Sequence, residues 1–222
     1  MVLARKKAVI FDMDGVISDT QKLHAEVESA LLKEYGIVMT PDAITRQYAG
    51  VSDEIMFAAL FEKHNVRTDL VVDVVRAKWK RMHHSKQGRI KAIPHAVPLI
   101  QKLKRDGYKL AVASASPKMF IKEILDSFGI AMYFDAIVSS KEVAEGKPAP
   151  DIFLLAAVRL GVASYEAIVI EDGKNGMLGA QAAGMACIGL VPDVGADYPA
   201  TVLVSSLSEI SSDMINNLPA PL

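Results

Sequence analysis

Two aspartates one residue apart, Asp12 and Asp14 in the stretch AVIFDMDGV, stand where an apolar, β-favouring run stops and Gly15 turns the chain. Three later stretches carry polar groups in comparable places: Ser114, Ala115 and Ser116 in ASAS, Lys147 in EGKPAPD, and Glu171 with Asp172 in IEDG. Taken singly, each has an ordinary explanation as a turn, an N-cap, a solvated loop lysine or a capped helix start. Taken together they make a site. Four carboxylates in one crevice repel one another unless some hold protons or a cation is bound, and an oxygen-rich set of this kind suits Mg²⁺. Ser114, the backbone N–H groups from Ala115 onward at a helix start, and the Lys147 ammonium would offer donors to an anion beside that metal. The chemistry implied is phosphoryl transfer. Asp12 would be the nucleophile, forming an aspartyl-phosphate. Asp14, redirected by the turn at Gly15, would protonate the leaving alkoxide and then take a proton from water. Asp172, with Glu171 at or beside the metal, would hold Mg²⁺. Lys147 would neutralise phosphoryl oxygens and keep Asp12 ionised, and Ser114 would hydrogen-bond a phosphate oxygen.

These residues need a scaffold that brings strand ends together. Short β-branched runs occupy residues 7–11, 109–113, 136–138, 167–170 and 186–191, and runs that are apolar throughout imply strands covered on both faces, hence a parallel sheet in an α/β fold. In open parallel sheets the residues just past the carboxyl ends of the strands converge on the ligand. Between the first two runs the pattern is helical: Leu23, Val27, Ala30 and Leu31 share one face of a helix that Gly36 ends, with Asp19 and Thr20 as its cap. Further helices are expected at 41–48, 52–64 and 69–84. The organisation predicted is a core of residues 1–17 and 93–222, a helical accessory domain over 18–92, and a frayed tail at 216–222.

Composition narrows the classes. With 25 basic and 26 acidic residues among 222 and a net charge of −1, no polycationic signature of nucleic-acid binding is present. The apolar start is too short for a membrane span and is followed by acids, so neither anchor nor signal peptide is expected, and the cytoplasm is the default compartment. The single cysteine, Cys187, lies in the apolar GMACIGLV and is expected to pack as a small hydrophobe. The partner expected is a small phosphorylated metabolite, with no nucleic acid, membrane or obligate protein partner.

FDMDGV, ASAS, GKPAPDIF and IEDGKNGM, in that order over nearly the whole chain, resemble the four motifs of the haloacid dehalogenase superfamily. The branch resembled is that of β-phosphoglucomutases and sugar-phosphate phosphatases, with a helical cap inserted after the first motif. The resemblance implies a Rossmann-like core and Mg²⁺ dependence. It implies metal bound through Asp12, the Asp14 backbone carbonyl and Asp172, and phosphate held by Ser114 and Lys147. Members that act on haloacids lack the second aspartate, so Asp14 points to phosphate esters. In the cap, YAGVSDEIMF resembles a substrate-specificity loop around Gly50, Val51 and Ser52, and His24 stands where the mutases place a histidine that handles protons.

Several positions depart from the pattern. Ala49 and Asp53 replace basic residues of the mutase loop, and an acid at 53 would repel a second phosphate, which favours hydrolysis over a mutase reaction. Gly173 stands where a Ser is usual, and His95 where the second linker usually has Gly. The basic run at 76–91 is read as a solvated cap face and Trp79 as a core anchor of the cap. His83 and His84, adjacent on a helix, face different ways and make a poor metal pair. The expectation is a Mg²⁺-dependent phosphatase for a small sugar or polyol phosphate. The alternatives are a phosphomutase and a non-catalytic phosphate-binding protein of the same fold.

Overall fold

A computed structural model describes residues 5–85 and 90–219. Six parallel strands form one sheet in the order β3-β2-β1-β4-β5-β6: β1 (Ala8–Phe11), β2 (Lys109–Ser114), β3 (Ala136–Ser139), β4 (Ala167–Glu171), β5 (Ala186–Leu190) and β6 (Val202–Val204). The sheet is Rossmann-like, and its strand order reverses between β1 and β4, the switch point at which open α/β sheets leave a crevice. Phe11 pairs with Val112 on one side and Ile170 on the other, so the next residues, Asp12, Ala113 and Glu171, lie abreast.

Alternation along the strands divides the core in two. Val9, Phe11, Val112 and Ile170 face one apolar layer, whereas Ala8, Ile10, Ala113 and Val169 face the other. The first layer includes α5 (Ala96–Arg105) and α6 (Lys118–Ser127), and the second α7 (Asp151–Leu160) and α8 (Lys174–Ala182). The expected fifth run holds, and β6 is an addition: VLV is three residues long, only partly buried, and gives too short a pattern to read. The expected fraying at 216–222 is corrected in part. Asn216 and Asn217 close α9 (Ser212–Asn217), and Leu218 is buried against the first layer, while residues 220–222 lie outside the described residues.

Between β1 and α5 the described residues form helices and no strand: α1 (Gln21–Glu34), α2 (Pro41–Tyr48), α3 (Asp53–Lys63) and α4 (Val71–Ser85). Thr40 caps α2 by accepting from the Ala43 N–H, with Pro41 at the first helical position. On α1, Leu23, Val27 and Leu31 are buried as expected, but Ala30 is exposed; the buried face is completed by His24, Ala25, Glu28 and Leu32. The cap's apolar interior, with Phe57 and Phe61 at its centre, is continuous with the first layer of the core. The two connections run side by side, Asp19 N–H donating to the Lys91 carbonyl and Ile93 N–H to that of Ile17. No helix among the described residues is long and apolar enough to cross a membrane.

Candidate active site

Lys147 is buried at the centre of the sheet's carboxyl edge, with its Nζ 2.5 Å from Asp12 Oδ1, 2.6 Å from Glu171 Oε1 and 3.1 Å from the Ala113 carbonyl. Those contacts use all three ammonium protons. The lysine reaches there from a loop that precedes α7, in which the Lys147–Pro148 bond is cis. Glu171 gives its other oxygen to the Gly173 N–H at 2.8 Å, so both of its oxygens are engaged. A Cβ at Gly176 would lie 1.7 Å from Glu171 Oε1, which is why the first turn of α8 has no side chain there.

Asp14 is held differently. Thr20 Oγ1 donates to its Oδ1 at 2.5 Å, and Ser114 Oγ and Ser116 Oγ both donate to its Oδ2 at 2.9 Å. Thr20 sits at the N-cap position of α1, yet its side chain makes no cap bond; the expected cap is corrected, because its backbone is helical there (φ −100°, ψ −19°) instead of extended and its hydroxyl is turned to Asp14. Ser114 likewise is turned to Asp14 and accepts from the Ser116 N–H at 3.0 Å. Gly15 makes the turn that follows the two aspartates: its φ is +93°, and a Cβ would lie 2.0 Å from Asp172 Oδ2.

Asp12, Glu171 and Asp172 can each offer a carboxylate oxygen within 4.8 Å of the others. Burial pushes Asp12 and Asp172 well above the usual carboxylate range, and repulsion from Glu171 and Asp14, with that of Asp12 on Asp172, adds to it, against the pull of Lys147. A donor set that disfavours its own charge is suited to a divalent cation, and hard carboxylate oxygens fit Mg²⁺. Gln21 points its amide N–H at the same place, 3.0 Å from the Asp14 carbonyl and 3.3 Å from Asp172 Oδ2. Burial also pushes Asp14 upward, but His24 and the bonds from Thr20 and Ser116 outweigh it and hold this carboxyl below the usual range.

The cap closes the other side. Asp12, Asp14, Gln21, His24 and Ala115 line a cleft with Tyr48, Ala49, Gly50 and Val51. Gly50 has φ +78° and sits over Lys147, while a Cβ at Gly146 would meet Ser52 Cβ at 3.6 Å. The Asn175 amide donates to the Ala49 carbonyl at 3.3 Å. A Cβ at Gly173 would lie 3.2 Å from that carbonyl oxygen, so the missing side chain admits the cap loop.

His24 Nε2 lies 3.3 Å from Asp14 Oδ1 without the alignment of a hydrogen bond. Trp79 packs against the apolar interior as expected and is also a wall of the cleft: its ring meets His24 at 5.5 Å and Phe120, on α6 of the core, at 5.2 Å. Lys78 departs from the expected solvated face and is fully buried, bonded to Glu28 at 2.5 Å and to Asp53. The remainder of that face behaves as expected at Arg76 and Lys80, which are exposed, and residues 86–89 of the run lie outside the described residues. The sequence reading missed Ser116, Thr20, Gln21, Glu28 and Lys78.

A sequence profile of haloacid dehalogenase-like hydrolases matches residues 9–190. The chain is 32% identical over 184 residues to a phosphorylated carbohydrates phosphatase of Thermotoga maritima, covering 81% of this chain and 82% of that protein. It is 30% identical over 219 residues to the β-phosphoglucomutase of Bacillus subtilis, covering 95% and 94%. Among solved structures, CbbY from Rhodobacter sphaeroides in complex with xylulose-(1,5)bisphosphate superposes with a TM-score of 0.80 at 27% identity, covering 93% of this chain and 96% of that one.

Proposed function

The chain belongs to the haloacid dehalogenase-like hydrolases as a phosphomonoesterase or phosphomutase, and from that premise we propose that it hydrolyses a small sugar or polyol phosphate through an aspartyl-phosphate on Asp12. The observation that carries this reading is the placement of Asp12 and Asp14, both facing one cleft but held by different partners. Asp12 is paired with Lys147 beside the acidic cluster, and Asp14 is held by three hydroxyls.

Asp12, the Asp14 carbonyl and Asp172 would hold the metal, with Glu171 serving chiefly as counter-ion to Lys147. Bound Mg²⁺ would supply Lewis-acid stabilisation of the charge on the transferring phosphoryl group. Lys147 orients Asp12 Oδ1 and leaves the second oxygen as the attacking atom. The hydroxyls around Asp14 favour its ionised form, which suits it to take a proton from water when the aspartyl-phosphate is hydrolysed. When Ser114 turns to a phosphate oxygen, Asp14 loses a donor and its proton affinity rises, which suits it to protonate the leaving alkoxide. The cap, taken as residues 18–92, moves on the paired connections at 17–19 and 91–93 and excludes bulk water at attack.

The test is phosphate release from a panel of sugar, polyol and nucleoside monophosphates, with Mg²⁺ and with chelator, for the wild type beside Asp12→Asn. Metal-dependent release that Asp12→Asn lowers by roughly 10³-fold or more is expected. Release that survives the substitution would remove Asp12 from the chemistry. Turnover only with a bisphosphate primer, and without net phosphate release, would establish the mutase instead.

A further inference from the structure

The cap side of the cleft contains a buried charge cluster that the phosphoryl chemistry does not use. Lys78 on α4 is 1% exposed and lies between Glu28 on α1 and Asp53 at the start of α3. Asp53 also accepts from Trp79 Nε1 at 2.7 Å, which fixes the indole as a flat apolar wall. Two carboxylates against one ammonium leave the cluster at −1. Asp53 is therefore not a bare acid thrust at the substrate, as its sequence position alone implies; it acts by occupying Lys78. The cations nearby are similarly engaged, Lys118 with Glu142 at 3.3 Å, Lys141 with Glu54, and Lys147 with Asp12 and Glu171. Beside the cluster, His24 is 9% exposed and lines the same cleft between Asp14, 3.3 Å from its Nε2, and Glu28, 3.9 Å from its Nδ1.

We propose that Glu28 and Asp53 form a cap-side wall of the cleft that reads neutral hydroxyl groups of the substrate and rejects a second phosphate there, with Lys78 as their internal counter-ion. This rests on the phosphatase reading and narrows its substrate to a polyhydroxylated monophosphate. A second anion beside the cluster would meet two carboxylates whose one contacting ammonium, Lys78, is already bonded to both, and like charges in a partly desolvated site cost far more than in water. A hydroxyl meets an acceptor, because Glu28 uses one of its two oxygens on Lys78 and has the other for a donor. The face of Trp79 offers a surface for the C–H side of a sugar.

Fructose 1-phosphate and fructose 1,6-bisphosphate differ only by the far-end phosphate. Their binding to Asp12→Asn protein, measured by titration calorimetry, separates the wall from the chemistry. The monophosphate is expected to bind at least about tenfold more tightly, and adding Asp53→Asn, which releases Lys78 from one acid, should narrow the ratio by roughly fivefold or more. Glu28→Gln, which releases it from the other, should do the same, and it carries the test if Asp53→Asn melts early. Equal binding of the two sugars, or a ratio unmoved in both variants, overturns the proposal. Wild type that releases no phosphate from p-nitrophenyl phosphate or any sugar ester overturns the phosphatase reading alone, since the binding ratio still reports on the wall.

Discussion

Lys147 is surrounded by acids, and it is the only counter-charge that Asp12 and Glu171 contact directly among the described residues. Burial alone would lower its proton affinity, but the two carboxylates outweigh that and raise it, so it stays charged. Lys147→Met, a replacement of similar length, would leave the carboxylates facing one another without a cation. The expected loss is about 3–5 kcal/mol in urea unfolding, because removing one partner strands the other's charge in the interior. A loss below about 1 kcal/mol would mean that protons on the carboxylates already balance the site. Asp12, Asp14, Ser114, Glu171 and Asp172 could be singled out in the sequence because each interrupts or follows an apolar run at a strand end, and Lys147 because it stands in a Gly and Pro loop just before a helix. Thr20 and Gln21 could not, since hydroxyls and amides near helix starts are ordinarily caps, and Ser116 stood out only as a neighbour of Ser114, its contact with Asp14 being 102 residues away in the chain. Lys78 did leave a signal: it stands four residues after Val74 and four before Met82, both buried, inside the apolar stripe of α4. A charge in such a stripe demands a partner, which only the tertiary structure identifies.

The elements carry the site through their ends, and the hinge is where one end is under strain. His95 precedes α5 at φ +67°, in the left-handed region that costs an L-residue roughly 1–2 kcal/mol and glycine little. His95→Gly should remove that strain at some cost in unfolded-chain entropy, for a net gain of about 0.5–1 kcal/mol. Thermal melts would show it as a rise of a few degrees, and a fall would mean that the imidazole makes compensating contacts. Strands β1 to β5 and the cap helices were legible because each is long enough to display a period. At β6, three residues on the sheet's edge show none, and the strand exists because β5 offers it an open ladder. The approach of Ala49 to Gly173 and of Ser52 to Gly146 was not legible either. It depends on how the cap docks, a relation between segments with no local imprint beyond two glycines.

At the scale of the whole molecule, the acidic cluster ties stability to pH and metal. Asp12 and Asp172 have folded pKa values raised above the ordinary 3.8, so the folded chain binds their protons more tightly than the unfolded chain does. The stability they contribute is present below pH ~4 and is lost as pH rises through the folded values. Asp14 has the opposite sign, but its folded value lies below 3.8, so its contribution is lost only at more acid pH and does not enter this window. Metal-free protein should therefore weaken between pH ~4 and neutrality. A cation that binds the ionised carboxylates should reverse this. Mg²⁺ at about 100 times its dissociation constant would contribute roughly 2.7 kcal/mol at neutral pH, a rise of about 5–10 °C in Tm for a chain of this size. Near pH 4 the carboxylates hold protons and the same addition should raise Tm little. Melts at pH 4.5 and pH 7.5, each with Mg²⁺ and with chelator, measure both effects. A Mg²⁺-dependent rise of equal size at the two pH values would place cation binding on groups other than this cluster, and no rise at either would leave Asp12 and Asp172 to be balanced by protons and Lys147 alone.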